Sequence, residues 1–275
     1  RHHKINLGDL VTIVIPVEGK RDQYLVSLRN KVIHLTWNLT DGTHSHKVLA
    51  EVASERRGKE RFNDGKVDAL GRLWIGTLLN AEDGSVVPGA GSLYKLDTAN
   101  GSFTKMSSNF TLSNGMAWNA NNTLMYFNDS EDRKTYVFDF DLPNGTISNK
   151  RILVDYAKEP ENVYGAGEYP DGMAMDAEGR LWIALYGGGR VIRLEPSTGQ
   201  LLTSVPVPAP QTTSLAFGGG AHFETIFVTT ASSDVKGKPQ LEAKYPQAGR
   251  IFTITRKANG TALQGVKAFN FKAKN

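Results

Sequence analysis

The chain has 275 residues, 40% of them hydrophobic, with 32 lysines and arginines against 28 aspartates and glutamates, for a formal net charge of +4. That mild balance, with its densest basic stretch (Glu55-Arg56-Arg57-Gly58-Lys59-Glu60-Arg61) broken by acids, reads as a solvated loop and speaks against a nucleic-acid partner. The absence of cysteine excludes a disulfide framework, a thiolate nucleophile and sulfur-ligated zinc, and the longest clean apolar run, near residues 11–17, falls far short of the ~20 residues of a membrane span.

Along the chain the signals are those of strands, and few segments keep helical periodicity for more than two turns. A faint copy of a repeat starts near Val11 and runs through Tyr24 to Leu28, followed by Val32–Trp37. A sharp copy opens at Asp64 and runs to Ile75, with Ser92–Leu96 after it. The next copies span Asn114 to Tyr126, Asp171 to Ile183 and Thr213 to Phe227, with the strands Tyr136–Phe140 and Val191–Leu194 between them. Ile251–Ile254 and Gly265–Phe269 are expected to complete the last one. Copies recurring every ~40–60 residues with about four strands each are the signature of a β-propeller. Trp74, Trp118 and Trp182 recur in the repeat and are expected in the blade cores.

The connections have their own chemistry. Asn100-Gly101, Asn144-Gly145 and Asn259-Gly260 suit type I′ hairpins, which need positive φ at both central residues. Gly187-Gly188-Gly189 and Gly218-Gly219-Gly220 read as turns rather than phosphate cradles, because no helix start follows them. His44 and His46 read as exposed turn residues. Without a G-x-S-x-G elbow, acyl-enzyme chemistry is not expected. Seven N-x-S/T sequons, at Asn38, Asn100, Asn109, Asn121, Asn128, Asn144 and Asn259, read either as glycan acceptors or as products of turn composition.

In a propeller the first residue of each innermost strand faces the mouth of the central channel. The repeat puts Asp64 (with Asn63 beside it), Asn114, Asp171 and Thr213 there. Converging oxygen side chains suit a hard divalent cation, and the lack of imidazole and thiolate disfavours copper or zinc. Any one of these residues alone reads as a turn, but three in one phase, each followed by glycine, point to a site.

Arg61-Phe62-Asn63-Asp64-Gly65-Lys66, Ser113-Asn114-Gly115, Tyr169-Pro170-Asp171-Gly172-Met173, Gly188-Gly189-Arg190-Val191-Ile192-Arg193-Leu194 and Gly249-Arg250-Ile251-Phe252 together resemble the SMP-30/gluconolactonase/regucalcin family, which includes the insect luciferin-regenerating enzymes. The likeness runs from about Lys4 to Phe271. It implies an all-β, six-bladed β-propeller forming a single domain over 1–275. It implies one divalent cation, Ca²⁺ first and Zn²⁺, Mg²⁺ or Mn²⁺ as alternatives, held by Asn114 and Asp171, with Asp171 also the general base. Arg61 and Asn63 would bind a small-molecule substrate, with Glu82 or Asp83 as an acidic loop residue. The activity implied is metal-dependent hydrolysis of small sugar lactones. The alternatives are a regucalcin-like calcium-binding protein with little catalysis and a luciferin-regenerating role. The compartment implied is cytoplasmic, while the sequons keep a secreted route open. One departure stands out: the family's glutamate ligand, in a Gly-Glu-(Ser/Gly)-Pro motif on the first blade, has no counterpart here. The first blade is therefore expected to lack about a blade's worth of chain, ~40 residues.

Overall fold

The computed structural model describes residues 3–52, 59–97, 101–232, 243–255 and 262–273. The readings at Asn100 and Asn259, and those at 53–58, lie outside the described residues. The described residues include nineteen strands. They form five sheets, each an antiparallel meander. The first contains β1 (Val11–Pro16), β2 (Gln23–Leu28), β3 (Lys31–Trp37) and β4 (His44–Glu51). The second contains β5 (Glu60–Val67), β6 (Leu73–Leu79), β7 (Gly91–Asp97) and β8 (Ser102–Phe110). The third contains β9 (Ser113–Trp118), β10 (Leu124–Asp129), β11 (Lys134–Asp141) and β12 (Thr146–Asp155). The fourth contains β13 (Tyr169–Met175), β14 (Leu181–Tyr186), β15 (Arg190–Leu194) and β16 (Leu201–Pro206). The last contains β17 (Thr212–Gly218), β18 (Thr225–Thr230) and β19 (Ile251–Ile254).

The class is all-β and the sheets are propeller blades, but there are five of them, not six. The first blade is not the incomplete one: β1 pairs with β2 from Val11 to Pro16, and all four strands are present. The sheet with three strands among the described residues is the last. Gly265 makes only an isolated bridge to Asp176, so the expected closing strand at Gly265–Phe269 does not form. His44 and His46 begin β4 rather than sitting in a turn.

The chain divides into two compact units, Arg1–Ser113 with Phe269–Asn275, and Asn114–Ala268. In the first unit the core gathers Leu25, Val32, Phe62, Leu73, Ile75 and Phe271, all essentially sealed from solvent. Phe271 is held by main-chain bonds on both sides, its N–H to Pro16 and its carbonyl from Glu18. In the second unit Tyr126, Leu181, Ile183, Ile192 and Tyr156 form one core cluster, and Trp182, Val191, Ile226 and Leu263 belong to another.

Burial alternates along the outer strand β16. β6 is buried throughout, because a blade's middle strands are covered on both faces. The hairpin at Asn144-Gly145 does not use a type I′ turn. The N–H of Gly145 bonds the Asp141 carbonyl at 2.8 Å, and Gly42, Gly101 and Gly199 repeat the pattern with Asn38, Asp97 and Glu195. Each of these glycines has positive φ while Asn144 does not. This is the longer connection that ends in one left-handed residue, so a single glycine suffices.

A carboxylate fixes the turn after the inner strand. Asp176 Oδ1 accepts the N–H of Glu178 and of Arg180 at 3.0 and 2.9 Å. Its Oδ2 accepts the indole N–H of Trp182 at 2.9 Å and Arg193 Nε at 2.8 Å. Asp68 does the same for Leu70, Arg72 and Trp74. Lys95 and Arg193 lie over the faces of Trp74 and Trp182. In the third sheet Asn119 accepts from Thr123 and Leu124, and Met125 takes the tryptophan's place. With no indole or guanidinium to satisfy, a neutral amide suffices there.

Removing one partner of such a buried network leaves the others unsatisfied, which typically costs about 3–5 kcal/mol. Asp176→Ala should lower the unfolding free energy of its unit by that much, whereas Asn119→Ala should cost about 1–2 kcal/mol. Urea titration followed by tryptophan emission measures both.

Candidate functional site

In four of the five sheets the residue that sequence phase places at the start of the inner strand is set by a β-bulge. In the fourth sheet Pro170 pairs with Leu185 and Met173 with Ile183, so Asp171 and Gly172 together face one residue of β14. In the second sheet Phe62 pairs with Thr77 and Gly65 with Ile75, leaving Asn63 and Asp64 in the same situation. β1 and β17 carry bulges at the equivalent point, after Val11 and after Thr212. A bulge turns its side chains out of the regular alternation. Counting from Trp74 and Trp182 across each register, Asn63 matches Asp171 and Asp64 matches Gly172. Asn63, not Asp64, therefore holds the site phase, and Asn114 and Thr213 hold it in their sheets.

In the second unit a third residue links Asn114 to the main chain just before Asp171. Asn114 is buried, and its Nδ2 donates to Ser130 Oγ at 2.7 Å. Ser130 Oγ donates on to the Pro170 carbonyl at 2.6 Å. Asn128, 0% exposed, donates from Nδ2 to the Asp171 carbonyl at 2.7 Å and accepts Thr135 Oγ1 at 2.7 Å. The end of β10 thus grips the start of β13 on both sides of the bulge. Sequence reasoning missed Ser130 and Asn128. The signal was the polar run Asn128-Asp129-Ser130 closing an otherwise apolar strand, in which all three residues are buried.

The glycines after the site residues are not turn glycines. Neither Gly115 nor Gly172 has positive φ. A Cβ on Gly115 would land on the Asp171 carbonyl oxygen and the Met173 nitrogen, and one on Gly172 would strike Ser214. Inner strands β9, β13 and β17 approach one another here closely enough to exclude any side chain.

Tyr186, opposite Tyr169 in the register, accepts Gln211 Nε2 at 2.8 Å. Burial pushes its phenol above the usual range, and the charges of Asp171 and Glu131 add to that.

Arg61 and Asn63 lie in the first unit. Arg61 Nη1 donates to the Phe62 carbonyl at 3.1 Å and to Asn63 Oδ1 at 3.0 Å, and Asn63 Nδ2 donates to the Ser113 carbonyl at 2.9 Å. Burial pushes the Arg61 guanidinium below its usual range, with Arg29 adding to the effect. The neighbouring Asp64 carboxyl is pushed up by burial and the Lys66 ammonium pushed down by it. Glu82 and Asp83 are exposed turn residues, Glu82 paired with Lys59 at 2.9 Å and Asp83 capping Ser85.

Among the described residues no group of three or more His, Cys, Asp or Glu gathers as a metal cage. In the second unit the oxygen-bearing residues at the site phase are an amide, Asn114, and a carboxylate, Asp171. Ser130 takes the Nδ2 side of Asn114, which fixes the amide's orientation. Oxygen of both kinds fits a hard cation in chemistry, one neutral and one anionic.

Residues 1–232 match the family model described as the SMP-30/Gluconolactonase/LRE-like region. A regucalcin of Bos taurus is 36% identical over 266 residues, covering 95% of this chain and 82% of the relative. Among solved structures, a luciferin-regenerating enzyme superposes with a TM-score of 0.81 at 31% identity, covering 98% of this chain and 83% of the other. A regucalcin from Agrobacterium tumefaciens, described as a calcium-binding protein, superposes with a TM-score of 0.77 at 24% identity, covering 98% and 81%.

Gly115→Ala should displace β13 at Asp171 or unfold the unit, with a cost above about 2 kcal/mol. Ser130→Ala, which keeps the shape but orphans a buried amide, should cost about 1–3 kcal/mol. Thermal denaturation of the two variants beside wild type tests this order, and a neutral Gly115→Ala would contradict the close approach.

Proposed function

This chain belongs to the SMP-30/Gluconolactonase/LRE-like family, and on that premise we propose that it hydrolyses small sugar lactones with the aid of one divalent cation, Ca²⁺ before Zn²⁺, Mg²⁺ or Mn²⁺. The observation that supports this most is the Asn114–Ser130–Pro170 chain of bonds, which ties the Asn114 amide to the main chain just before Asp171 on a neighbouring inner strand. Asn114 and Asp171 are the residues that would hold the cation, whose contribution when bound is to draw electron density from the lactone carbonyl.

The chain's own residues carry the proton. Asp171 takes a proton from the attacking water as its oxygen bonds the carbonyl carbon. It returns that proton to the ring oxygen when the carbon–oxygen bond of the ester breaks, leaving a hydroxy acid. The bonds from Asn128 and Ser130 to the main chain around Asp171 limit how far its carboxylate can wander. Arg61 and Asn63 serve as substrate binders. A guanidinium accepts nothing, so it suits carbonyl and hydroxyl oxygens rather than a cation. Its bond to Asn63 Oδ1 orients both side chains before substrate arrives, lowering the ordering cost of binding.

A second reading, calcium binding with little turnover, draws on the regucalcin relatives. A luciferin-regenerating role draws on the 31% identical structural neighbour. Lactone hydrolysis measured in turn with Ca²⁺, Mg²⁺, Mn²⁺ and Zn²⁺ separates these. Asp171→Asn should keep the fold and lose turnover by about 10²–10⁴-fold, and undiminished turnover would remove Asp171 from the reaction. Arg61→Ala should raise KM with metal affinity unchanged. Cation binding by calorimetry without hydrolysis of any lactone would favour the second reading.

A further inference from the structure

Turn composition does not explain the sequons. Four Asn-Gly dipeptides occur in the chain. Three of them, at Asn100, Asn144 and Asn259, carry a hydroxyl residue immediately after the glycine. The fourth, Asn114-Gly115, is the one in the candidate site, and it is followed by Met116. Turn chemistry accounts for asparagine and glycine but makes no demand on the residue after them. In the Asp141–Gly145 turn the closing bond is main chain to main chain, so Thr146 is not needed for the geometry.

Position separates the sequons as well. Asn121 sits in the turn between β9 and β10, and Asn144 in the turn between β11 and β12; both are exposed. Those two turns lie at the end of the third sheet where β9 finishes. Asn114 lies where β9 begins, and six residues of strand span roughly 20 Å. Asn38 occupies the corresponding outer turn of the first sheet, between β3 and β4, and is half-buried. Asn109, near the end of β8, is exposed. Asn128 is the contrast: it is 0% exposed, enclosed by the fold. A bulky, hydrophilic modification is tolerated at the first group and incompatible with the last.

We propose that this chain is an N-glycosylated protein of the secretory route, modified at Asn121 and Asn144 and also at Asn38, with the glycans of Asn121 and Asn144 projecting from the end of the third sheet away from Asn114. The step is transfer from a lipid-pyrophosphate-linked oligosaccharide. Asparagine Nδ2 bonds the anomeric carbon, the bond from that carbon to the pyrophosphate oxygen breaks, Nδ2 releases a proton, and the lipid pyrophosphate departs. Thr123 and Thr146 supply the hydroxyl residue that the acceptor motif requires.

The inference is independent of lactone hydrolysis, and its test needs no activity. The protein is isolated from the cells that make it and treated with peptide-N-glycosidase in ¹⁸O-water, and its peptides are weighed. ¹⁸O-labelled aspartate is expected at 121 and 144, with unaltered asparagine at 128. Unmodified asparagine at both 121 and 144 overturns the proposal, as does labelling at 128. In parallel, the full chain secreted from eukaryotic cells should lose one glycan step in electrophoretic mobility with Asn121→Gln and another with Asn144→Gln. Mobility unchanged in both variants is equally decisive against it.

Discussion

A buried carboxylate sets the geometry of the inner strands. Asp68 and Asp176 each close the turn after an inner strand and tie it to the indole of the next strand. Each of their oxygens is committed twice, so the turn has one low-energy arrangement and the pairing of the two strands has one register. In a β-sheet a slip of one residue inverts every side chain, and this latch forbids the slip. The candidate site is counted back from it. Asn63, Asn114 and Asp171 each stand five residues before Asp68, Asn119 and Asp176. The bulge falls in that interval, where the pairing constraint has relaxed enough to turn a side chain out.

Latch and site therefore divide the inner strand between them. The latch end needs a fixed acceptor and changes only when its partners change, as Asn119 does opposite Met125. At the other end the adjoining glycines let neighbouring strands meet without side chains between them. Ser130 and Asn128 bind main chain on either side of Asp171 rather than its carboxylate. They brace the strand and leave the identity of the presented group open.

Much of this was legible in the sequence. Apolar runs of strand length bounded by Gly, Asn and Asp gave the strands, and the recurring motif gave the blades and the phase of Asn114 and Asp171. The misses have physical reasons. The bulge adds a residue that sequence alignment cannot assign to one strand or the other, which put Asp64 where Asn63 stands. Asn-Gly is written the same way whether the glycine is needed for positive φ, as at Gly145, or for want of a Cβ, as at Gly115. The six blades came from a resemblance rather than from counting strands, and five sheets are what the described strands form. Ser130 and Asn128 were hidden because their partners are carbonyl groups, which no side-chain motif records.

The bulge also bears on how such a chain can diversify. Its site positions hold threonine, asparagine and aspartate in different sheets on nearly the same backbone. One nucleotide change can trade a neutral donor for an anionic one there without disturbing the register. A lineage built this way can move between holding an ion, binding a polyol and cleaving an ester by rewriting a few codons. Its folding, fixed five residues away, stays out of reach of that selection.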